Sequence, residues 1–313
     1  DLNGDGKLTS WDAKKMLDAL PDKLSGTIRF KAMRIANSKT DWVDVTIQDG
    51  KVSETTVLNE FTDTLTGIYE AKEASRFYPK AGALCGGKLM LRTSYTLNGV
   101  GGSDLVQVDP DSFAAPKMNV VAGANDWYDV TACSDGLLGV TPWGGQTFFS
   151  LWKDGQKVAD GSLGASALDG SVLVGIASAG KDNDGAETLY GLAKDGKLYR
   201  FSLTVDGEYL ELTTREKIGG GNIIPGWYNT PSSDPENPYT WEIDSASLLA
   251  TGGYLLAAVT YSSMALEKYQ SVVYLIDPAT GSCVKVALPE GVVLNSLYQY
   301  EQKESKGAQV YVK

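Results

Sequence analysis

The segment Val272–Gly281 has the sequence VVYLIDPATG. Its first half is a run of β-branched, aromatic and aliphatic residues, which is typical of a β-strand. Its second half is a turn sequence, because aspartate tolerates turn backbone geometry and glycine supplies positive φ. The segment therefore predicts a strand that ends in a turn.

The same strand-and-turn pattern occurs four more times. The strands are predicted at Val43–Ile47, Leu105–Val108, Phe148–Trp152 and Leu189–Ala193, and the turns at Asp49-Gly50, Asp109-Pro110, Asp154-Gly155 and Asp195-Gly196. A second recurring element is a glycine followed by an apolar run, at Gly87, Gly136, Gly170 and Gly253, and Gly26 lies at a similar distance before Asp49. Because the two elements keep a similar spacing, they predict five copies of one structural unit.

The spacing of the aspartate turns predicts one more unit. The turns begin at positions 49, 109, 154, 195 and 277, so the intervals between them are 60, 45, 41 and 82 residues. Because 82 is twice 41, we expect a degenerate sixth unit between Lys197 and Thr251.

Units of about 40–45 residues with four short strands resemble the blades of a β-propeller. The resemblance implies a mainly β body over residues 25–313, with six or seven four-stranded blades. The C-terminal hairpin, Ser296–Tyr300 and Gln309–Val312, is expected to join strands near Thr27–Ile35, which would close the ring and remove exposed sheet edges. A pair of β-sandwiches is the competing architecture.

Residues 1–12, DLNGDGKLTSWD, have the pattern of a calcium-binding loop. Calcium takes six to eight oxygen ligands, and a loop of this length supplies them only if it turns sharply at a glycine, here Gly6. A short helix is predicted from near Ser10 to Pro21, because apolar residues follow with helical spacing. The predicted calcium ligands are Asp1, Asn3, Asp5, Lys7 through its carbonyl, Thr9 and Asp12.

The stretch DLNGDGKLTSWDAKKMLDAL resembles one repeat of a type I dockerin, the calcium-binding module that attaches bacterial enzymes and surface proteins to cohesin domains. Asp12, in place of the glutamate of a general EF-hand, carries the resemblance. It implies that residues 1–24 form a separate segment and that Ser10 and Trp11 contact a cohesin-type partner. It also implies a secreted, extracellular protein associated with the cell surface. Dockerins carry two such repeats in tandem, and one is found here.

The composition excludes several classes of function. The 313 residues include 28 basic and 39 acidic ones, and the net charge of −11 argues against binding to nucleic acid or an anionic membrane. No apolar run reaches the roughly 18 residues of a membrane span. There is no histidine, which excludes imidazole bases and Ser-His or Cys-His nucleophiles. The chain begins at Asp1 without an initiator methionine, so we expect that an upstream segment has been removed.

The three cysteines, Cys85, Cys133 and Cys283, lie far apart and form no CxxC pair. This spacing favours buried thiols over a disulfide scaffold or a zinc site. A further acidic group, Asp182, Asn183 and Asp184, is interpreted as a solvated hairpin tip, because it lacks the other spaced ligands of a calcium loop.

The segment Gly219–Trp241 contains four prolines and has no helix or strand period. Long loops of this kind often carry binding residues. Its aromatic side chains are candidates to stack on sugar rings while their polar tips form hydrogen bonds. The alternative is that they fix the loop against the blades. The candidates are Trp227, Tyr228, Tyr239 and Trp241.

Two functions from different classes remain open. The first is a secreted calcium-binding protein whose propeller binds a polysaccharide or a surface protein. The second is a carboxylate-dependent carbohydrate-active enzyme, a glycoside hydrolase or a lyase. Its acid pair depends on a separation of about 5–10 Å that the sequence does not give. The absence of histidine favours binding.

Overall fold

The computed structural model of the chain describes residues 27–36, 39–48, 51–60, 74–97, 100–108, 118–123, 127–251, 253–286, 288 and 292–298. These residues form 21 strands and one 3-10 helix, Ala165–Leu168. The protein is therefore mainly β, as the apolar runs predict. The predicted calcium loop, the helix predicted after it, and the predicted partner contacts Ser10 and Trp11 lie outside the described residues.

The described strands form sheets of four, eight, five and four strands, and these divide into five antiparallel four-stranded units. Unit 1 consists of β21 (Val293–Tyr298), β1 (Thr27–Ala36), β2 (Lys39–Gln48) and β3 (Lys51–Glu60). Unit 2 consists of β4 (Ala74–Cys85), β5 (Lys88–Leu97), β6 (Val100–Val108) and β7 (Met118–Gly123). Unit 3 consists of β8 (Asp129–Cys133), β9 (Gly136–Trp143), β10 (Gln146–Lys153) and β11 (Gln156–Leu163).

Unit 4 consists of β12 (Leu173–Lys181), β13 (Glu187–Ala193), β14 (Lys197–Asp206) and β15 (Tyr209–Asn222). Unit 5 consists of β17 (Tyr239–Thr251), β18 (Tyr254–Ser263), β19 (Lys268–Ile276) and β20 (Cys283–Val286), with β16 (Trp227–Thr230) added beside β17. A single parallel bridge between Asp160 and Tyr209 links the outer strands of units 3 and 4.

The units form a ring. Each unit has a first strand, β21, β4, β8, β12 or β17, which contacts the first strands of the two neighbouring units. The contact between β17 and β21 closes the cycle. Four-stranded units arranged around one axis make the fold propeller-like, in contrast to the two stacked sheets of a sandwich.

The hydrophobic core follows the ring, because each unit buries its faces against its two neighbours. Within the described residues there are five core clusters, one at each interface between units. Met33 and Leu89 belong to the interface of units 1 and 2, and Ala81 and Trp127 to that of units 2 and 3. The other three clusters fill the interfaces 3–4, 4–5 and 5–1.

The predicted ring closure is confirmed for the strands that the structure describes. β21 pairs with β1 antiparallel, with Lys31 opposite Tyr298 and Ile35 opposite Val293. The last described strand therefore completes the unit that the first described strands begin. The predicted partner Gln309–Val312 lies outside the described residues.

The sixth unit predicted between Lys197 and Thr251 is not found in that segment. Its strands belong to units 4 and 5. The error arises from the turn at Asp195-Gly196, which joins the second and third strands of unit 4, whereas Asp154-Gly155 and Asp277-Pro278 follow third strands. The corresponding turn of unit 4 is Asp206-Gly207. The interval of 82 residues therefore contains a long hairpin and the inserted β16, without an extra unit.

In the part of the chain that the structure describes, no helix is long and apolar enough to cross a membrane.

Candidate functional site

A cavity of about 630 Å³ opens where units 3, 4 and 5 meet. It lies at the end of the ring where the first strands begin, since Tyr128 precedes β8, Val172 precedes β12, and Asp244 lies in the first half of β17. The turns between the second and third strands of units 3 and 4 form its sides. The cavity therefore occupies a place where a propeller-like protein is expected to bind.

Three exposed aromatic side chains line the cavity. Trp143 is 75% exposed, Trp227 is 64% exposed and Tyr128 is 41% exposed. Large apolar side chains are normally buried, so their grouping at one opening indicates a binding surface.

Local backbone geometry explains why Trp143 projects from the sheet. It is the last residue of β9 and pairs with Gln146 across a two-residue turn. Both turn residues, Gly144 and Gly145, have positive φ, which a hairpin turn of this type requires. Phe148 lies next to the indole, with ring centroids 6.3 Å apart. The turn thus presents a large aromatic face with one packed neighbour.

Of the four aromatic residues predicted from the long loop, Trp227 lines the cavity. Tyr228, the next residue of β16, points to the opposite face, because successive side chains of a strand alternate. There it stacks on Trp241, its cross-strand partner, with centroids 6.1 Å apart and planes 8° from parallel.

The remaining predicted aromatics have the alternative, structural role. Trp241 is 7% exposed and donates a hydrogen bond from Nε1 to Thr230 Oγ1 at 3.0 Å. Tyr239 is half-buried opposite Thr230 in the β16–β17 ladder. Desolvation raises the pKa of the Tyr228 phenol. Tyr228, Tyr239 and Trp241 therefore support the sheet that carries Trp227.

Polar groups accompany the aromatic rings. Asp195, Glu242 and Asp244 line the cavity together with Lys194. Asp195 also forms an ion pair with Lys197, with 2.8 Å between Oδ2 and Nζ. That hydrogen bond is the main cause of the raised pKa of Lys197. The wall is thus rich in acceptors, with more carboxylates than ammonium groups.

Two loops that contribute Asp195, Asn222 and Gly226 to the lining approach each other closely beside the cavity. Ile223 donates its backbone N–H to the carbonyl of Gly196 at 3.0 Å. A Cβ atom at Gly196 would lie 2.0 Å from the carbonyl oxygen of Ile224, and one at Gly226 would lie 2.6 Å from the backbone of Asp195. Glycine at both positions therefore lets the β13–β14 turn contact the segment that leads into Trp227.

A buried carboxylate lies behind the cavity. Asp129 is 1% exposed, and its Oδ2 accepts hydrogen bonds from the backbone N–H groups of Ile176 at 2.9 Å and Leu248 at 3.2 Å. Ser247 also hydrogen-bonds the carboxylate and accepts the N–H of Leu297 at 3.0 Å. Asp129 therefore joins the first strands of units 3, 4 and 5 and, through Ser247, unit 1.

Desolvation dominates the electrostatics of this group. It raises the pKa of Asp129 well above its ordinary value near 3.8, although the hydrogen bonds oppose the shift. Asp129 Oδ1 has no hydrogen-bond partner among the described residues. The geometry gives Asp129 a role in holding the ring together.

A second buried carboxylate, Glu187 on β13, has a comparable structural role. Both of its oxygens accept the backbone N–H of Ser134 at 3.3 Å, and it also hydrogen-bonds Ser178. It thereby ties the β8–β9 turn of unit 3 to unit 4.

Candidate metal ligands do not cluster in the described part of the chain, which excludes residues 1–26. Over the described residues, no group of three or more Cys, Asp or Glu side chains has metal-binding geometry. At the 180–185 turn, Asp182 Oδ1 accepts the N–H groups of Asp184 and Ala186, each at 3.0 Å. This is the arrangement of a hairpin tip. The three cysteines are free, and burial raises their pKa values.

Trp143 and Tyr128 were not predicted from the sequence. Trp143 has a recognisable signal, because Trp-Gly-Gly between two apolar runs marks an exposed hairpin turn. Tyr128 has none, since it stands between buried Trp127 and buried Asp129.

No family model matches the chain, and no curated protein does. Among solved structures, an endo-arabinase from Bacteroides thetaiotaomicron is similar, with 13% identity, coverage of 85% of this chain and 81% of that one, and a TM-score of 0.29. A post-proline cleaving enzyme from Rickettsia typhi has 12% identity and a TM-score of 0.29, and the match covers 85% of this chain and 52% of that one. At these values the likeness carries no argument about activity.

Proposed function

We propose that the five-unit ring is a β-propeller that binds a polysaccharide in the cleft between units 3, 4 and 5. The supporting observation is the grouping of Trp143, Trp227 and Tyr128, all exposed, around one opening with acidic and hydroxyl groups between them. Aromatic faces pack against the C–H groups of sugar rings, and nearby polar atoms bind the hydroxyls.

Retention on polysaccharides tests this proposal. Native gels containing linear arabinan, arabinoxylan, hydroxyethylcellulose, mixed-linkage β-glucan or polygalacturonate are expected to retard the protein with at least one neutral polymer. Trp143→Ala and Trp227→Ala are each expected to weaken retention roughly tenfold, the effect of losing one stacking face. Tyr209→Ala is the control, because Tyr209 is 74% exposed and does not line the cleft. Unretarded wild-type protein, or equal retention by all variants, would contradict the proposal and favour a surface-protein ligand.

A carbohydrate-active enzyme is the second candidate, and one observation favours it. Asp195, Glu242 and Asp244 line the same cleft as the aromatic residues. Paired carboxylates cleave glycosidic bonds when one acts as an acid and the other as a base or nucleophile. Assays of the same samples for new reducing or unsaturated ends decide between the candidates. Products that disappear in Glu242→Gln or Asp244→Asn would identify an enzyme, whereas retention without products supports binding alone.

We also propose that residues 1–24 form a dockerin-like calcium segment that attaches the protein to a cohesin-type domain. The ligand spacing from Asp1 to Asp12 supports this, and a secreted, cell-surface protein is the setting in which such a segment acts.

Removal of calcium tests this segment. Addition of calcium is expected to raise the melting temperature of the wild-type protein, because a ligand that binds the folded state stabilises it. Asp1→Ala with Asp5→Ala is expected to abolish that increase, since both carboxylates are predicted ligands. Asp182→Ala is the matched control from an acidic turn to which no calcium is assigned. An identical response of all three proteins to calcium and chelator would show that the segment does not bind the ion.

A further inference from the structure

Four side chains lie in one row across unit 5. The strand registers place Trp227 opposite Glu242, Glu242 opposite Ser262, and Ser262 opposite Tyr269. Cross-strand partners share a face of the sheet, so all four project from the same side. The first three line the cleft, and Tyr269 is the next position outward.

The two ends of this row are exposed aromatic residues. Trp227 and Tyr269 are each 64% exposed. They lie on β16 and β19, three strand spacings apart, which corresponds to about 14 Å. Ser262 and Glu242 between them are smaller or flexible, so a ligand lying along the row would meet an aromatic face at each end and polar groups in the middle.

The reverse side of the sheet holds the row rigid. Tyr228 and Gln270, the neighbours of the two exposed aromatics in sequence, are joined by a hydrogen bond of 2.7 Å from the phenol to Oε1. The Tyr228 ring also meets Tyr261 edge-on, with centroids 5.0 Å apart. Tyr261 in turn donates to the carbonyl of Pro225 at 2.8 Å. Preorganisation of this kind lowers the cost of binding.

The charge of the surface restricts the ligand. Glu242 stands within the row, and Asp244 and Asp195 line the adjoining cleft together with Lys194. Lys197, outside the lining, forms an ion pair with Asp195 and leaves the carboxylates of Glu242 and Asp244 to dominate the charge. An anionic polymer would be repelled by these carboxylates, whereas sugar hydroxyls can donate hydrogen bonds to them.

From the shared face, the spacing and the charge, we infer that Trp227 and Tyr269 are two stacking platforms of one track for an uncharged, linear polysaccharide. The inference rests on the proposed binding function and extends it past the cleft. A ligand long enough to reach both platforms gains affinity over one that covers the cleft alone.

Oligosaccharide length tests the track. Calorimetry with arabinohexaose, xylohexaose and cellohexaose, each compared with its trisaccharide, is expected to show at least tenfold tighter binding of the hexasaccharide for the neutral glycan retained in the gels. Tyr269→Ala is expected to remove that gain and leave trisaccharide binding unchanged. Tyr269→Phe keeps the ring and should bind like the wild-type protein. Trp227→Ala is expected to weaken binding of both the trisaccharide and the hexasaccharide.

Three other outcomes would overturn the track, the uncharged ligand or the proposed function. Equal affinities of the wild-type protein for both lengths, or a hexasaccharide gain that survives in Tyr269→Ala, would overturn the track while leaving cleft binding intact. Stronger retention by polygalacturonate than by any neutral polymer would overturn the uncharged ligand. If neither Trp143→Ala nor Trp227→Ala alters binding of any glycan, the proposed function itself fails.

Discussion

Asp129→Ala is expected to lower the free energy of unfolding by about 4 kcal/mol. The substitution strands the buried N–H groups of Ile176 and Leu248, and each unsatisfied buried donor costs roughly 1–3 kcal/mol. It also removes the bond by which Ser247 extends the network toward β21. Urea unfolding at neutral pH measures the change. A loss below about 1 kcal/mol would contradict the role of Asp129 as the junction of the first strands.

The Asp129→Asn variant distinguishes the contribution of the hydrogen bonds to stability from that of the carboxylate charge. Its amide oxygen can still accept both N–H groups, and it carries no charge to desolvate. We therefore expect a loss smaller than about 1.5 kcal/mol, or a gain at neutral pH, because replacement of a buried charge by a neutral group of equal size removes its desolvation cost. If the Asp129→Asn variant were as unstable as the Asp129→Ala variant, the carboxylate charge itself would be required.

The raised pKa of Asp129 also predicts how stability depends on pH. Burial raises the folded-state pKa above the unfolded value near 3.8, so the folded protein binds the proton more tightly. The contribution of Asp129 to stability is complete below the pKa of the unfolded state and is lost as pH rises through the pKa of the folded state. The stability difference between the wild-type protein and Asp129→Asn should therefore shift in favour of the variant from about pH 4 upward. If the difference in stability between the wild-type protein and Asp129→Asn stayed constant across this range, Asp129 would have the same pKa in the folded and unfolded states.

The recurring apolar run followed by a turn predicts most of the fold from the sequence. Strands at Phe148–Trp152 and Val272–Ile276 are found within β10 and β19, because an apolar run with a turn at its end has few other ways to bury its side chains. The number of units is less predictable. Asp195-Gly196 and Asp206-Gly207 are equally good turn sequences, and only pairing shows which of them ends a third strand.

The site was predicted less completely than the fold, for a physical reason. The composition of the Gly219–Trp241 segment marks its aromatics as candidates, but the alternation of side chains decides that Trp227 faces the cleft while Tyr228 and Trp241 face the core. The segment shows no alternation of apolar and polar residues, so its sequence does not indicate which side chains face the cleft. Asp129 and Tyr128 come from a different unit, and their proximity to the loop depends on closure of the ring.

Gly196→Ala is expected to destabilise the protein by about 4 kcal/mol or more and to weaken binding in the cleft. Gly196 has φ near +88°, where an L-residue costs roughly 1–2 kcal/mol. The added Cβ would also lie 2.0 Å from the carbonyl oxygen of Ile224 and 3.0 Å from the backbone nitrogen of Gly226. Neither atom belongs to a side chain that can rotate away, so the loop itself has to move. That loop leads directly into Trp227.

Gly185→Ala isolates the contribution of this close approach. Gly185 has nearly the same φ, +84°, but nothing lies within 4 Å of the added Cβ. It should lose about 1–2 kcal/mol from backbone strain alone and keep wild-type glycan binding. The excess loss in Gly196→Ala then measures the contact between the β13–β14 turn and the segment 223–226. Equal stability losses in the two variants would show that the loops separate at little cost. In that case, Trp227 would not depend on Gly196 for its position.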